Sequence, residues 1–323
     1  MKIRQVLIDN EPCIQIASSA GWVNVSGIVK QQPQLQSVAS SVLNILSASP
    51  KERETLAEIA KTMSADNREV DNYLLPFQPL SYRDFMLYER HVIDSSRGFA
   101  KRFLPKVFPI TKIFEKITGK PFPAFKPKPL WYKQPIYYMG NHLAFIPQGA
   151  TIPYPDYCTA LDYELELGFV LSKPLFNATP QEAEAAIGGF MVFNDVSVRN
   201  VQMAEMGSGF GPQKAKHFCN VLGCEVVTAD EVLPIWQTLT GEVKINGKKV
   251  SEVSTQKPQF TLGEALAHVS RSERLFAGEF FGTGTLPGGC GMENGFLPQH
   301  NDQLELIIHG IGSVRNPISS TKS

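Results

Sequence analysis

The chain has 323 residues, 43% of them hydrophobic, and its 31 basic side chains balance 31 acidic ones. That length can bury a sizeable core, as two domains or as one large β domain with an appendage, while zero net charge removes any global electrostatic reason to bind nucleic acid or an anionic membrane. Cysteines at 13, 158, 219, 224 and 290 are odd in number and lack zinc-site spacing, which fits reduced thiols in a cytoplasmic protein. The N-terminus is broken by charge too early for a signal peptide, and no apolar run is long enough to span a bilayer.

Residues 1–75 read as a small α/β module. Short strands are expected around Val6-Leu-Ile, Cys13-Ile-Gln-Ile and Trp22-Val-Asn-Val, followed by a helix over 35–46 and a second opened by Ser49-Pro-Lys-Glu. A third helix is expected over 67–75. No catalytic constellation falls here.

Residues 76–323 hold the chemistry. The stretch from Leu80 to His91 reads as a helix that places Asp84 and His91 seven apart, hence on one face. From 97 to 133 ten basic residues stand against one acid, Glu115, with phenylalanines and prolines between them. Two readings compete for this excursion (about 94–134): an amphipathic surface for anionic lipid, or a lid over a site. The prolines at 105, 109, 121, 123, 127 and 129 favour the lid, since they prevent one continuous helix.

Beyond Pro135 the pattern is mostly β. The stretch from Leu161 to Leu171 reads as a buried strand, yet Asp162, Glu164 and Glu166 project from one of its faces. Ionised carboxylates in such a place call for a metal, basic partners or a solvated edge face. A short helix over 180–187 begins at Thr179-Pro-Gln-Glu, and an apolar strand ends at Asn194-Asp195, with Arg199 and Gln202 next at helical spacing. Asn246-Gly247 suits a type I′ hairpin turn, Thr261 with Glu264 a capping box, and residues 313–323 a frayed tail.

Taken in order, Asp84 with His91, Asp162-Tyr-Glu164-Leu-Glu166, Asn194-Asp195 with Arg199 and Gln202, Ala215-Lys216-His-Phe218 and Gly282-Thr-Gly-Thr285 resemble the fumarylacetoacetate hydrolase family, over roughly residues 80–312. The resemblance implies an α+β, mostly β fold with a mixed β-roll catalytic domain, and a homodimer. It also implies Mg²⁺, or Ca²⁺ or Mn²⁺, held by Asp84, Glu164, Glu166 and Asp195, an all-oxygen set suited to a hard cation. Asp162 is assigned a supporting role.

The implied catalytic residues are His91 as base, Glu305 as its carboxylate partner and Lys216 facing a developing oxyanion, with Lys214 as runner-up. Arg199, Gln202 and Thr285 would contact substrate. Where the fumarylacetoacetate-cleaving enzyme has two tyrosines, this chain has Met86 and Met206, and Ala100 stands where that enzyme has an arginine. The expected activity is hydrolysis of a carbon–carbon bond in a β-diketone or acylpyruvate held in a more apolar pocket. Decarboxylation, hydration or isomerisation of a 2-oxo acid on the same scaffold is the alternative, and a non-catalytic binding protein is a third reading.

Overall fold

The computed structural model describes residues 1–322. Its architecture is mixed α+β, with 31% helix and 30% strand, and its sheets stay open. The largest sheet has twelve strands. Along its main path run, in spatial order, Gly21–Asn24, Glu11–Ser18, Lys2–Ile8, Glu225–Thr228, Ile187–Asn194, Leu165–Leu171, Phe280–Gly282, Tyr82–Phe85 and Tyr137–Met139. A five-stranded sheet built largely from residues 240–322 packs beside it.

The sheet runs straight through the boundary expected near residue 75. Lys2–Ile8 pairs antiparallel with Glu225–Thr228, with Lys2 opposite Val227. Ile3, Ile16, Val23 and Leu56 share one apolar cluster with Val170, Met191, Phe193 and Phe280. Local signals in this part are partly obeyed: Ser49 and Glu52 form a reciprocal capping box on the helix Pro50–Thr62. The helix expected over 35–46 is instead two 3₁₀ turns and the short helix Val42–Ser47. The helix expected over 67–75 is irregular chain with a two-residue strand, Asn72–Tyr73, pairing with Val6 and Leu7.

Three further expectations are corrected. Tyr82–Phe85 is a fully buried strand, not a helix, because it is wedged between Phe280–Gly282 and Tyr137–Met139. The acidic strand breaks into Leu161–Asp162 and Leu165–Leu171, since the backbone N–H of Glu164 leaves the ladder to donate to Asn194 Oδ1 at 3.0 Å. Residues 312–322 form a long strand against Gln303–Ile308 and do not fray; residue 323 lies outside the described residues. The helix at 180, the Asn246-Gly247 turn with both residues at positive φ, and the Thr261–Glu264 capping box all form. The basic excursion folds largely into two helices, Glu89–Phe103 and Phe108–Thr118, with Pro105 in the break between them and Pro109 in the first turn of the second. No helix among the described residues is long and apolar enough to cross a membrane, and none of the five cysteines is in a disulfide.

Candidate active site

Neighbouring strand ends in the large sheet bring the acidic residues together. Asp84 pairs in register with Gly282, Gly282 pairs with Gly168 two residues beyond Glu166, and Asp195 follows the end of the strand next along. Gly282 stands between the Asp84 and Glu166 strands and carries no side chain. A Cβ there would come within 2.4 Å of Asp84 Oδ1 and 2.6 Å of Glu166 Oε2, so the two carboxylates meet over a glycine. Single oxygens of Asp84, Glu166 and Asp195 all lie within 4.8 Å of one another, and each residue is at most 4% exposed.

Charges at this point do not balance. Arg199 bonds Asp162 Oδ2 through Nε at 2.7 Å and Glu164 Oε1 through Nη2 at 2.7 Å. Lys216 Nζ bonds the carboxylates of Glu164 and Asp195. Two cations therefore serve Asp162, Glu164 and Asp195, which leaves Asp84 and Glu166 without one. Glu166 accepts from the Gly284 N–H at 3.0 Å, while Asp84 Oδ1 is buried with no partner. Burial and the nearby Asp195 push the Asp84 carboxyl well above the usual carboxylate range. Burial, Asp84 and Asp195 do the same to Glu166. For Glu164, burial is outweighed by Arg199 and Lys216, and its carboxyl sits below the usual range. Burial would lower the Lys216 ammonium, but Asp195 and Glu164 hold it above the ordinary lysine value. An orphaned carboxylate oxygen amid converging, charge-deficient acids is what a hard divalent cation would complete, so the residues fit the metal expected of them.

A cavity of about 520 Å³ opens onto this cluster. Asp84, Met86, His91, Glu164, Glu166, Asp195, Arg199, Gln202, Met206, Lys216 and Thr285 all line it. Glu305 does not. It lies on Gln303–Ile308 in the second sheet, opposite Arg315 and Lys244, with Lys244 Nζ at 3.9 Å. The carboxylate beside His91 is Glu293, whose Oε2 lies 3.3 Å from Nδ1, while Nε2 faces Glu164 Oε1 at 3.8 Å. Lys214 is exposed.

The sequence profile of the fumarylacetoacetate (FAA) hydrolase C-terminal domain matches residues 118–319. The chain belongs to the fumarylacetoacetate hydrolase family. The human protein named oxaloacetate tautomerase FAHD1, mitochondrial, is 29% identical over 181 residues, which is 56% of this chain and 79% of that one. Its Pongo abelii counterpart is 29% identical over 182 residues, 56% of this chain and 80% of the relative. Among solved structures, a fumarylacetoacetate hydrolase from psychrophilic Exiguobacterium antarcticum superposes with a TM-score of 0.68 at 20% identity, over 99% of this chain and 100% of that one. A probable 2-hydroxyhepta-2,4-diene-1,7-dioate isomerase from Mycobacterium abscessus gives 0.68 at 19% identity over the whole of both chains. The protein thus shares its fold with family members named for hydrolysis and for isomerisation.

Within this candidate site, sequence reasoning passes over four contacts. Glu293 sits on the single-turn helix Gly291–Asn294, too short to carry a periodic signal. Tyr138 donates to Asp195 Oδ2 at 2.8 Å, Ser197 Oγ donates to Glu164 Oε2 at 3.2 Å, and Asn194 Oδ1 pins the Glu164 backbone. Asp162 takes the supporting place expected of it. Besides Arg199 it accepts from the N–H groups of Gly291 and Met292 at 2.7 and 3.1 Å, so it anchors the turn that bears Glu293.

Proposed function

We propose that the protein is a divalent-metal-dependent enzyme that hydrolyses the carbon–carbon bond of an acylpyruvate or related 1,3-dicarbonyl bearing an apolar acyl arm. The observation that carries this reading is His91, which lines the same cavity as the carboxylate cluster and has Glu293 Oε2 3.3 Å from its Nδ1. Asp84, Glu166 and Asp195, with Glu164 beside them, would hold the cation. When bound, the cation supplies positive charge for the paired oxygens of a dicarbonyl.

Glu293 Oε2, 3.3 Å from Nδ1, gives the imidazole a carboxylate neighbour on one side and leaves Nε2 to act as the base on the other. Nε2 takes a proton from water, and the water oxygen bonds to the acyl carbonyl carbon. The carbon–carbon bond then breaks, its electron pair stays with the neighbouring carbon, and that carbon receives the proton His91 holds. The products are the carboxylic acid of the arm and a 2-oxo acid. Gln202 Oε1 already accepts from Arg199 at 2.8 Å, which leaves its amide N–H groups for a substrate oxygen, and Thr285, whose hydroxyl donates to Glu166 Oε1 at 3.4 Å, lines the same cavity. Met86, Val92, Phe99, Ile136, Met203 and Met206 line the cavity and suit an alkyl or aryl arm. Both cationic side chains lining the cavity, Arg199 and Lys216, are engaged by carboxylates, so a second substrate carboxylate finds no free partner.

A second reading is tautomerisation, favoured by the names of the curated relatives. There His91 would move a proton between carbon and oxygen without water. One assay separates the two: acylpyruvates of increasing alkyl length, incubated with protein and Mg²⁺ or Mn²⁺ in deuterated water and followed by NMR. Hydrolysis yields two acids, with kcat/KM rising along the series. Deuterium exchange without cleavage, or release of carbon dioxide, overturns the hydrolase reading. Glu293→Gln should lower turnover by about 10²–10⁴-fold while divalent-cation binding persists.

A further inference from the structure

We propose that the helix Phe108–Thr118 is a docking surface for an anionic lipid bilayer, a role separate from the chemistry of the cavity. Its inner face is firmly seated. Phe108 and Phe122 pack on the cluster of Ile93, Ala100 and Phe125, Thr111 is buried, and Glu115 accepts from Arg97 Nε at 3.0 Å and from the Phe122 N–H at 3.0 Å. The outer face should by ordinary amphipathic logic be polar. Instead Ile110, Ile113 and Ile117, at i, i+3 and i+7, are 62%, 59% and 77% exposed, and Leu104 and Val107 extend the stripe toward the preceding helix.

Charge decides what covers this stripe. From Arg97 to Lys133 there are ten basic residues and one acid, and that acid is taken by Arg97. Lys106, Lys112, Lys116 and Lys120 are all exposed along the helix. A second copy of the chain meeting this face by two-fold symmetry would set lysines against lysines. A bilayer containing anionic lipid offers apolar depth for the isoleucines and negative charge for the lysines at once. The prolines that break the excursion do not prevent this, because the helix after Pro109 is continuous through Thr118. The docked face also adjoins the site: Phe103, at the end of the preceding helix, packs at 4.6 Å on Phe99, which lines the cavity.

The test is sedimentation of the full chain with phosphatidylcholine vesicles, with and without about one third phosphatidylglycerol, at low and high salt. Binding is expected to the anionic vesicles alone and to fall in salt. Lys112→Glu with Lys116→Glu should weaken it by at least about tenfold, and Ile113→Ser with Ile117→Ser by a similar factor. Circular dichroism checks that each variant is folded. Equal or absent binding to the two vesicle types overturns the proposal. So does an isoleucine double variant that binds vesicles like the parent, above all if it dissociates a dimer, which would assign the stripe to a second copy.

Discussion

Replacing Asp84 by asparagine should stabilise the metal-free protein and abolish its stabilisation by divalent cations. Asp84, Glu166 and Asp195 have oxygens within 4.8 Å of one another, and Asp84 Oδ1 has no partner. At an effective dielectric of about 20, two like charges at that distance repel by roughly 3 kcal/mol. Lys216 beside Asp195 offsets part of this, so removing the Asp84 charge should gain about 1–3 kcal/mol without metal. With cation at about a hundred times its dissociation constant, the parent should gain about 2.7 kcal/mol and the variant much less, so their order of stability reverses. Burial and Asp195 raise this carboxyl in the folded state, so the folded chain binds more protons than the unfolded one. Metal-free parent stability therefore falls as pH rises above about 4, and the variant loses the part of that slope that Asp84 supplies, while Glu166, also raised by burial, keeps its own. Denaturant melts in chelator and in saturating Mn²⁺ across this range measure every quantity. A variant less stable than the parent in chelator, or one that keeps the full response to cation, refutes the reasoning.

Arg199→Met leaves Asp162 with backbone donors but no cation and Glu164 with Lys216 alone, and should cost about 3 kcal/mol in the same melts, with Arg199→Lys intermediate because it keeps the charge but not the two-pronged geometry. Gly282→Ala drives a methyl group between Asp84 and Glu166 and should weaken Mn²⁺ binding at least about tenfold by calorimetry. Phe280→Ala opens the ring cluster formed with Tyr82, Phe145 and Phe193, for a loss of about 3–5 kcal/mol. Because that cluster also holds Ile3 and Leu56, circular dichroism and tryptophan fluorescence should report one shared transition.

Much of the site is legible in the sequence because its spacing is local. Glu164 and Glu166, two apart, both face the cavity, although the strand is interrupted between them, since the break keeps the Glu164 side chain on the same side. Asp84 and His91 reach the same cavity for a reason periodicity does not supply: one ends a strand and the other lies in the first turn of the next helix. Tertiary packing overrides the helical pattern there, because all four residues of Tyr82–Phe85 are enclosed by neighbouring strands. The misplacement of the histidine's partner has a similar origin. Glu305 is carried over by the family resemblance from its place on the strand after the Gly-Thr-Gly-Thr loop, and order along the chain predicts no neighbour in space. Glu293 is brought to His91 by a one-turn helix whose position depends on Asp162, 131 residues earlier in the chain. Such long-range tethering leaves no local trace.

The N-terminal strand carries a consequence for biosynthesis. Lys2 faces Val227 across the sheet, so this strand gains its partner only after some 225 further residues have been made. At about 5–20 residues per second that is roughly ten to fifty seconds, a long interval for an unpaired edge. During it, Lys2–Ile8 can pair only with nearby segments, Glu11–Ser18 on one side and Asn72–Tyr73 on the other. The first 75 residues thus hold their own strand edge as a hairpin until the body of the sheet emerges, and a folding helper that shields edges would act on that interval.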